Sequence, residues 1–152
     1  MLRLKHLLSD PRGASAIEFA LVAPMLAFMV VGITDAARAV GRKFQLDQAV
    51  YRTLEMVTVG ALQSDYSYVI PEAALASGEA ASNIDVRTWL ECDGVKQANS
   101  AAATCPGTQE VARFVKVTIK SDFKPLFSYG PFGAGNNKGV LHLASRSTLR
   151  VK

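Results

Sequence analysis

Between Ala14 and Ile33 the chain runs for twenty residues in which only Ser15 and Glu18 are polar. Wound as a helix at about 1.5 Å per residue, such a run covers roughly 30 Å, the hydrocarbon thickness of a bilayer. A helix satisfies its own backbone there, so the run reads as a membrane-spanning helix. Glu18 does not suit a plain anchor. A charged side chain at that depth costs about 2.5–3.5 kcal/mol on insertion scales, and such residues are usually functional. Three ordinary readings compete: an anchor with Glu18 near the headgroups, a secretory signal peptide, and the buried helix of a soluble protein. A soluble helix would need a second apolar helix of similar length to cover it, and the sequence offers none. A signal peptide has an apolar core of about 7–15 residues followed by a small-residue cleavage site. Ala37-Arg38-Ala39 would pass as that site, but the run is too long and carries an acid near its start.

The flanks add weaker constraints. Met1 to Arg12 carries Arg3, Lys5 and Arg12 against Asp10, consistent with a cytoplasmic N-terminus. Arg38, Arg42 and Lys43 lie beyond the run, so charge bias alone does not fix the orientation. Pro11 and Gly13 are expected to break any helix ahead of the span, leaving an extended segment that suits a peptidase. A frayed terminus would have the same residues. Pro24 lies inside the run and would cost about 3 kcal/mol in a soluble helix. In a membrane it more often kinks the helix, and neighbours re-satisfy the freed carbonyl. Local melting that lets subunits pack in a filament is the alternative reading of Pro24.

With Gly13, Ala14, Glu18-Phe19-Ala20-Leu21-Val22, Pro24, Gly32 and Arg38 in this order, the stretch resembles the TadE-like proteins. These are type IV prepilin-like chains of tight-adherence pili. The likeness is dense over about 25 residues and loose beyond them, through the late segment from Val115 to Phe127. The resemblance implies a leader, residues 1–13, removed by a prepilin peptidase between Gly13 and Ala14. It implies a transmembrane helix over 14–33 and an extracytoplasmic pilin-like domain over 34–152. Glu18, Phe19 and Pro24 would serve processing and assembly, with the Glu18 carboxylate able to pair with the new Ala14 amine. The implied home is the bacterial inner membrane, N-terminus cytoplasmic, and the pilus after assembly. The implied partners are the peptidase, other pilins and pseudopilins, membrane lipid, and an inner-membrane platform with its ATPase. An uncleaved single-pass protein with a small extracytoplasmic binding domain is the competing reading.

Beyond the run the helical pattern continues. Ala37, Val40, Phe44, Tyr51, Leu54 and Val57 recur at spacings of three, four or seven, which predicts one apolar face. Arg38, Arg42, Lys43, Asp47, Arg52 and Glu55 fall on the other side. The helix is expected to end near Gly60, giving roughly 70 Å from Ala14 to Val59 at the standard rise. Pro71 to Ala76 reads as a short helix with proline in its first turn. From Ile84 the period becomes two. Ile84, Val86, Thr88, Leu90 and Cys92 oppose Asp85, Arg87, Trp89 and Glu91. Asp93 to Thr108 reads as a polar loop. A second strand starts near Val111, alternates through Val115, Val117 and Ile119, and ends before Pro125. A last strand sets Leu141, Leu143, Leu149 and Val151 against His142, Arg146, Arg150 and Lys152. The expected class is α+β: a long N-terminal helix whose second half covers the apolar face of a small antiparallel sheet.

Removing residues 1–13 leaves 14 basic and 12 acidic side chains, a net charge of +2, unlike a dedicated nucleic-acid binder, and no nucleic-acid partner is expected. Lys116, Lys120, Arg146, Arg150 and Lys152 align as a basic stripe, ordinarily a solvated face and otherwise an attraction for an acidic surface or DNA. Cys92 and Cys105 are the two cysteines. After export a disulfide would close their loop, at about 3 kcal/mol in the chain-entropy model. A zinc site would want more ligands, and no metal or other cofactor is expected. The glycine-rich stretch Gly130 to Gly139 lacks the Gly-Lys-Ser/Thr ending of a phosphate loop and reads as a turn between strands. Ser145 and Ser147 lie near His142, but neighbours on one strand do not make a triad, so no catalytic residue is assigned.

Overall fold

The computed structural model describes residues 11–59, 66–97, 104–126 and 139–151. The chain falls into two units, Met1–Arg38 and Ala39–Lys152. Helix α1 spans Pro11–Val59. It starts three residues ahead of the expected boundary: Pro11 and Gly13 open the helix instead of breaking it. Proline is tolerated there because the first-turn N–H groups have no helical acceptor and its φ already suits a helix. Pro24 lies within α1 without ending it.

In the first unit the apolar stretch of α1 is long and apolar enough to cross a membrane, and none of it is buried within the molecule. Ile17, Phe19, Leu21, Met25 and Phe28 are all exposed. An all-round apolar surface of this kind suits lipid, not water.

In the second unit the last turns of α1 pack with helix α2 (Val69–Ser77) and a sheet of four strands: β1 (Ile84–Cys92), β2 (Val95–Lys96), β3 (Val111–Phe123) and β4 (Leu141–Arg150). The spatial order is β2-β1-β3-β4, and every pairing is antiparallel. Gly78 closes α2 in the left-handed conformation, φ 69°, its N–H bonding the Ala74 carbonyl at 2.9 Å. A 3-10 turn, Ala81–Asn83, then leads into β1. Leu46, Ala49, Val50, Leu54 and Val57 meet Val69, Ala73, Ile84, Val115, Val117 and Ile119 in one core.

The face that α1 buries differs from the one the sequence pattern suggested. Leu54 and Val57 are buried as expected, but Phe44 and Tyr51 are 62% and 61% exposed, and Val40 is exposed as well. The buried face runs through Leu46, Ala49, Val50, Thr53, Leu54 and Val57. At 100° per residue Phe44 and Tyr51 lie about 140–160° round the helix from Leu46. The large aromatics suggested the wrong stripe: the face that meets the sheet carries Leu46, Ala49, Val50, Thr53, Leu54 and Val57 instead. Thr53 is tolerated in this core because its hydroxyl donates to the Ala49 carbonyl at 2.7 Å.

The polar loop expected from Asp93 holds a further strand. Asp93 (φ 49°) and Gly94 (φ 79°) form a two-residue turn between Cys92 and Val95, which are paired across it. Asp-Gly is favoured in that turn because both positions need positive φ. Residues 98–103, the glycine-rich stretch from Gly130 to Lys138, the leader up to Asp10, and Lys152 lie outside the described residues.

Candidate processing and assembly site

Gly13 and Ala14 belong to the first turns of α1, with Glu18, Phe19 and Pro24 following on the same helix. Ala14 and Glu18 are four residues apart in α1, about one helical turn, a rise of about 6 Å. Glu18, Phe19 and Pro24 are all exposed, Phe19 to 68%. This set lies in the first unit; the cysteines lie in the second.

Cys92 and Cys105 are joined in a disulfide with their Cα atoms 5.6 Å apart. Cys92, at the end of β1, is buried. Beside it the Asp93 N–H donates to the Glu110 carbonyl at 3.0 Å, and the Glu110 N–H donates to Asp93 Oδ1 at 2.8 Å. The bond and these two contacts tie the β1 end of the 93–110 connection to the start of β3.

Two polar clusters in the second unit lock α1 to its neighbours, and sequence reasoning missed both. In the first, Arg42 Nη2 lies 2.5 Å from Glu79 Oε1, and Arg42 Nε donates to Ser121 Oγ of β3 at 3.3 Å. Asn83 Nδ2 donates to the other Glu79 oxygen at 3.0 Å. Burial pushes the Glu79 carboxyl up, but the hydrogen bonds from Ser121, Asn83 and Arg42 outweigh it and hold it below the usual range. In the second, Asp47 Oδ1 accepts from Lys43 Nζ at 2.6 Å and from Ser145 Oγ of β4 at 2.5 Å. These two hydrogen bonds, Lys43 first, lower the Asp47 carboxyl. The signal was present in the strands. Ser121 and Ser145 hold inward positions that the alternation reserves for apolar residues, and both are nearly fully buried. An inward serine needs a polar partner on the covering element, and α1 supplies one for each.

The outer sheet face carries Lys116, Lys120, Arg146 and Arg150, as the alternation predicts. Arg150 pairs with Glu110 at 2.6 Å and His142 with Asp122 at 2.6 Å. On the same face Trp89 stacks on Phe114, ring centres 5.3 Å apart.

A long N-terminal helix and a small antiparallel sheet packed on its second part define an α+β protein, and the first part of that helix is long and apolar enough to cross a membrane. Residues 13–54 match the family model described as TadE-like protein, so the chain carries a TadE-like segment running from the glycine of the motif into the core-forming turns of α1. Neither a curated protein nor a solved structure matches the chain.

Proposed function

We propose that this chain is a minor pilin-like subunit of a tight-adherence pilus, cut after Gly13 by a prepilin peptidase and needed for pilus assembly, surface adhesion and biofilm formation. The observation that carries this reading is the family match, which opens on Gly13 and includes Ala14, Glu18, Phe19 and Pro24. The leader stays cytoplasmic, α1 crosses the inner membrane, and residues 34–152 stand outside the cytoplasm. There Cys92 and Cys105 oxidise. Cleavage frees an amine on Ala14, one helical turn from Glu18, and the two ions pair within one chain or between neighbours. In a low-dielectric bundle such a pair sets register more than it adds stability. Other pilins and an ATPase-driven membrane platform complete the system.

The test is the mature N-terminus. Expressed with its peptidase, the chain is expected to begin at Ala14, and Gly13→Val to accumulate as full-length precursor. A chain that keeps Met1 is the uncleaved anchor, and one that starts after Ala39 is a secreted protein; either result overturns the proposal.

A further inference from the structure

We infer that the outer face of the sheet is a binding site for an acidic polysaccharide, a chain of uronate sugars, with Lys116, Lys120 and Arg146 as its charge contacts. The argument begins with register. Lys116 pairs with Thr148, Thr118 with Arg146 and Lys120 with Ala144 across β3 and β4. These residues alternate with the core residues Val115, Val117 and Ile119 of β3, so all six lie on the face turned from the core. Arg146 therefore sits diagonally between the two lysines, each diagonal about 7–8 Å, and Lys116 lies roughly 14 Å from Lys120. Three like charges at that spacing repel one another, which favours a bound counter-charge.

Other charges of this face are engaged: Glu91 accepts from Trp89 Nε1 at 2.8 Å and Lys96 lies over the Trp89 ring. Arg87 pairs with Asp85 at 2.8 Å, Arg150 with Glu110 and His142 with Asp122. Among the described residues no carboxylate lies within ion-pair distance of Lys116, Lys120 or Arg146. What remains is a narrow cationic line of Lys116, Arg146 and Lys120 along β3 and β4. It suits one extended polyanion and is poorly matched to the breadth of a duplex.

The side chains between the cations decide the class of polyanion. Thr118 and Thr148 place hydroxyls, each a donor and an acceptor, between the charges, and Ala144 keeps the floor low. Alternating charge and hydroxyl fits a chain that alternates carboxylates and sugar hydroxyls. Single-stranded nucleic acid would want open aromatic platforms for its bases. Trp89 does not offer one. It is flanked by Phe114 from β3 and by Lys96 from β2, whose Nζ lies 4.8 Å from the ring centre. Arg146 supplies the planar fork that binds a carboxylate through two hydrogen bonds. The inference is independent of cleavage and assembly, because binding is read on the isolated chain.

The test uses the full chain in nanodiscs of zwitterionic lipid, titrated with polygalacturonate at low salt. Neutral dextran, single-stranded oligo-dT and anionic phospholipid vesicles are the comparison ligands. Wild type is expected to bind polygalacturonate, to lose that binding as salt rises, and to ignore dextran. Arg146→Glu is expected to weaken it roughly tenfold or more, since one reversed charge cancels a flanking lysine. Arg52→Glu makes the same change in net charge on the exposed side of α1 and is expected to stay near wild type. Equal losses in both variants, absence of binding at low salt, binding of dextran, or tighter binding of oligo-dT or of the vesicles each overturns the assignment.

Discussion

Arg42 and Glu79 face each other at 2.5 Å across the junction between α1 and the turn after α2, both largely shielded from water. The same guanidinium reaches Ser121 of β3, so one side chain links three parts of the second unit. Arg42→Met leaves Glu79 buried with its hydrogen bonds reduced and is expected to cost about 1–3 kcal/mol. Arg42→Met/Glu79→Leu is expected to recover part of that loss, because an apolar pair often replaces a buried ion pair without penalty. Urea unfolding followed by the fluorescence of Trp89, the single tryptophan, measures both. Additive losses in the double variant would show that the two residues act separately.

Stability should fall in acid through Glu79 and Asp47. Both carboxyls are held below their ordinary range in the folded chain. A depressed folded pKa means that the unfolded chain binds protons first as pH drops. The contribution is therefore complete above the unfolded carboxylate range, about 4, and is lost as pH falls from there through the lower folded values. Urea midpoints between pH 7 and pH 2 test this. Glu79→Gln should flatten the acid limb, and an unchanged limb would place the titration elsewhere.

The two sides of α1 should respond in opposite ways. Leu46 is fully buried and Phe44 is 62% exposed. Leu46→Ala is expected to cost about 2–5 kcal/mol, as large-to-small core changes do. Phe44→Ala is expected to stay within about 0.5 kcal/mol. Thermal melts of the two variants decide, and comparable losses would contradict the buried face described above.

Reduction should loosen the end of the sheet. Cys92 and Cys105 close a loop with a sequence separation of 13. Cys92→Ser is expected to lower stability by about 3 kcal/mol. Non-reducing mass mapping of protein taken from the cell envelope should recover the linked peptides; two free thiols there would argue against export of the domain.

Glu18→Ala should spare cleavage and block assembly. Removing the carboxylate makes the span easier to insert, so anchoring persists. On the proposed function, the Ala14 amine would lose its partner, and breaking one side of a buried pair costs about 3–5 kcal/mol. Processed protein, membrane fraction and surface pili are measured in one strain. Wild-type pili would remove the assembly role of Glu18.

The apolar run, the strand alternation and the end of α1 could be read from the chain because each depends on local pattern alone. Val59 ends α1 one residue before the expected glycine, and Ile84, Val111 and Leu141 begin strands where the period changes to two. The buried face of α1 could not be read so simply. Two apolar stripes share that helix, and only the sheet decides which one is covered. Asp93-Gly94 was legible and was overlooked inside a polar stretch. The motif from Gly13 to Pro24 is fully visible in sequence. The contact of Arg42 with Glu79 joins residues 37 apart in the chain, and no local spacing announces it.

Five of the eleven residues in the core, Leu46, Ala49, Val50, Leu54 and Val57, come from the helix that also carries the membrane stretch. The sheet therefore cannot keep its fold without the second half of α1. A protease cutting between Arg42 and Val59 would strip the apolar face of β1 and β3 and leave a fragment prone to aggregate. A shed head could stay folded only if the cut fell ahead of Arg42. Proteolysis of this chain then has two outcomes: loss of the whole fold, or release of a folded second unit by a cut confined to the few residues between the apolar run and Arg42.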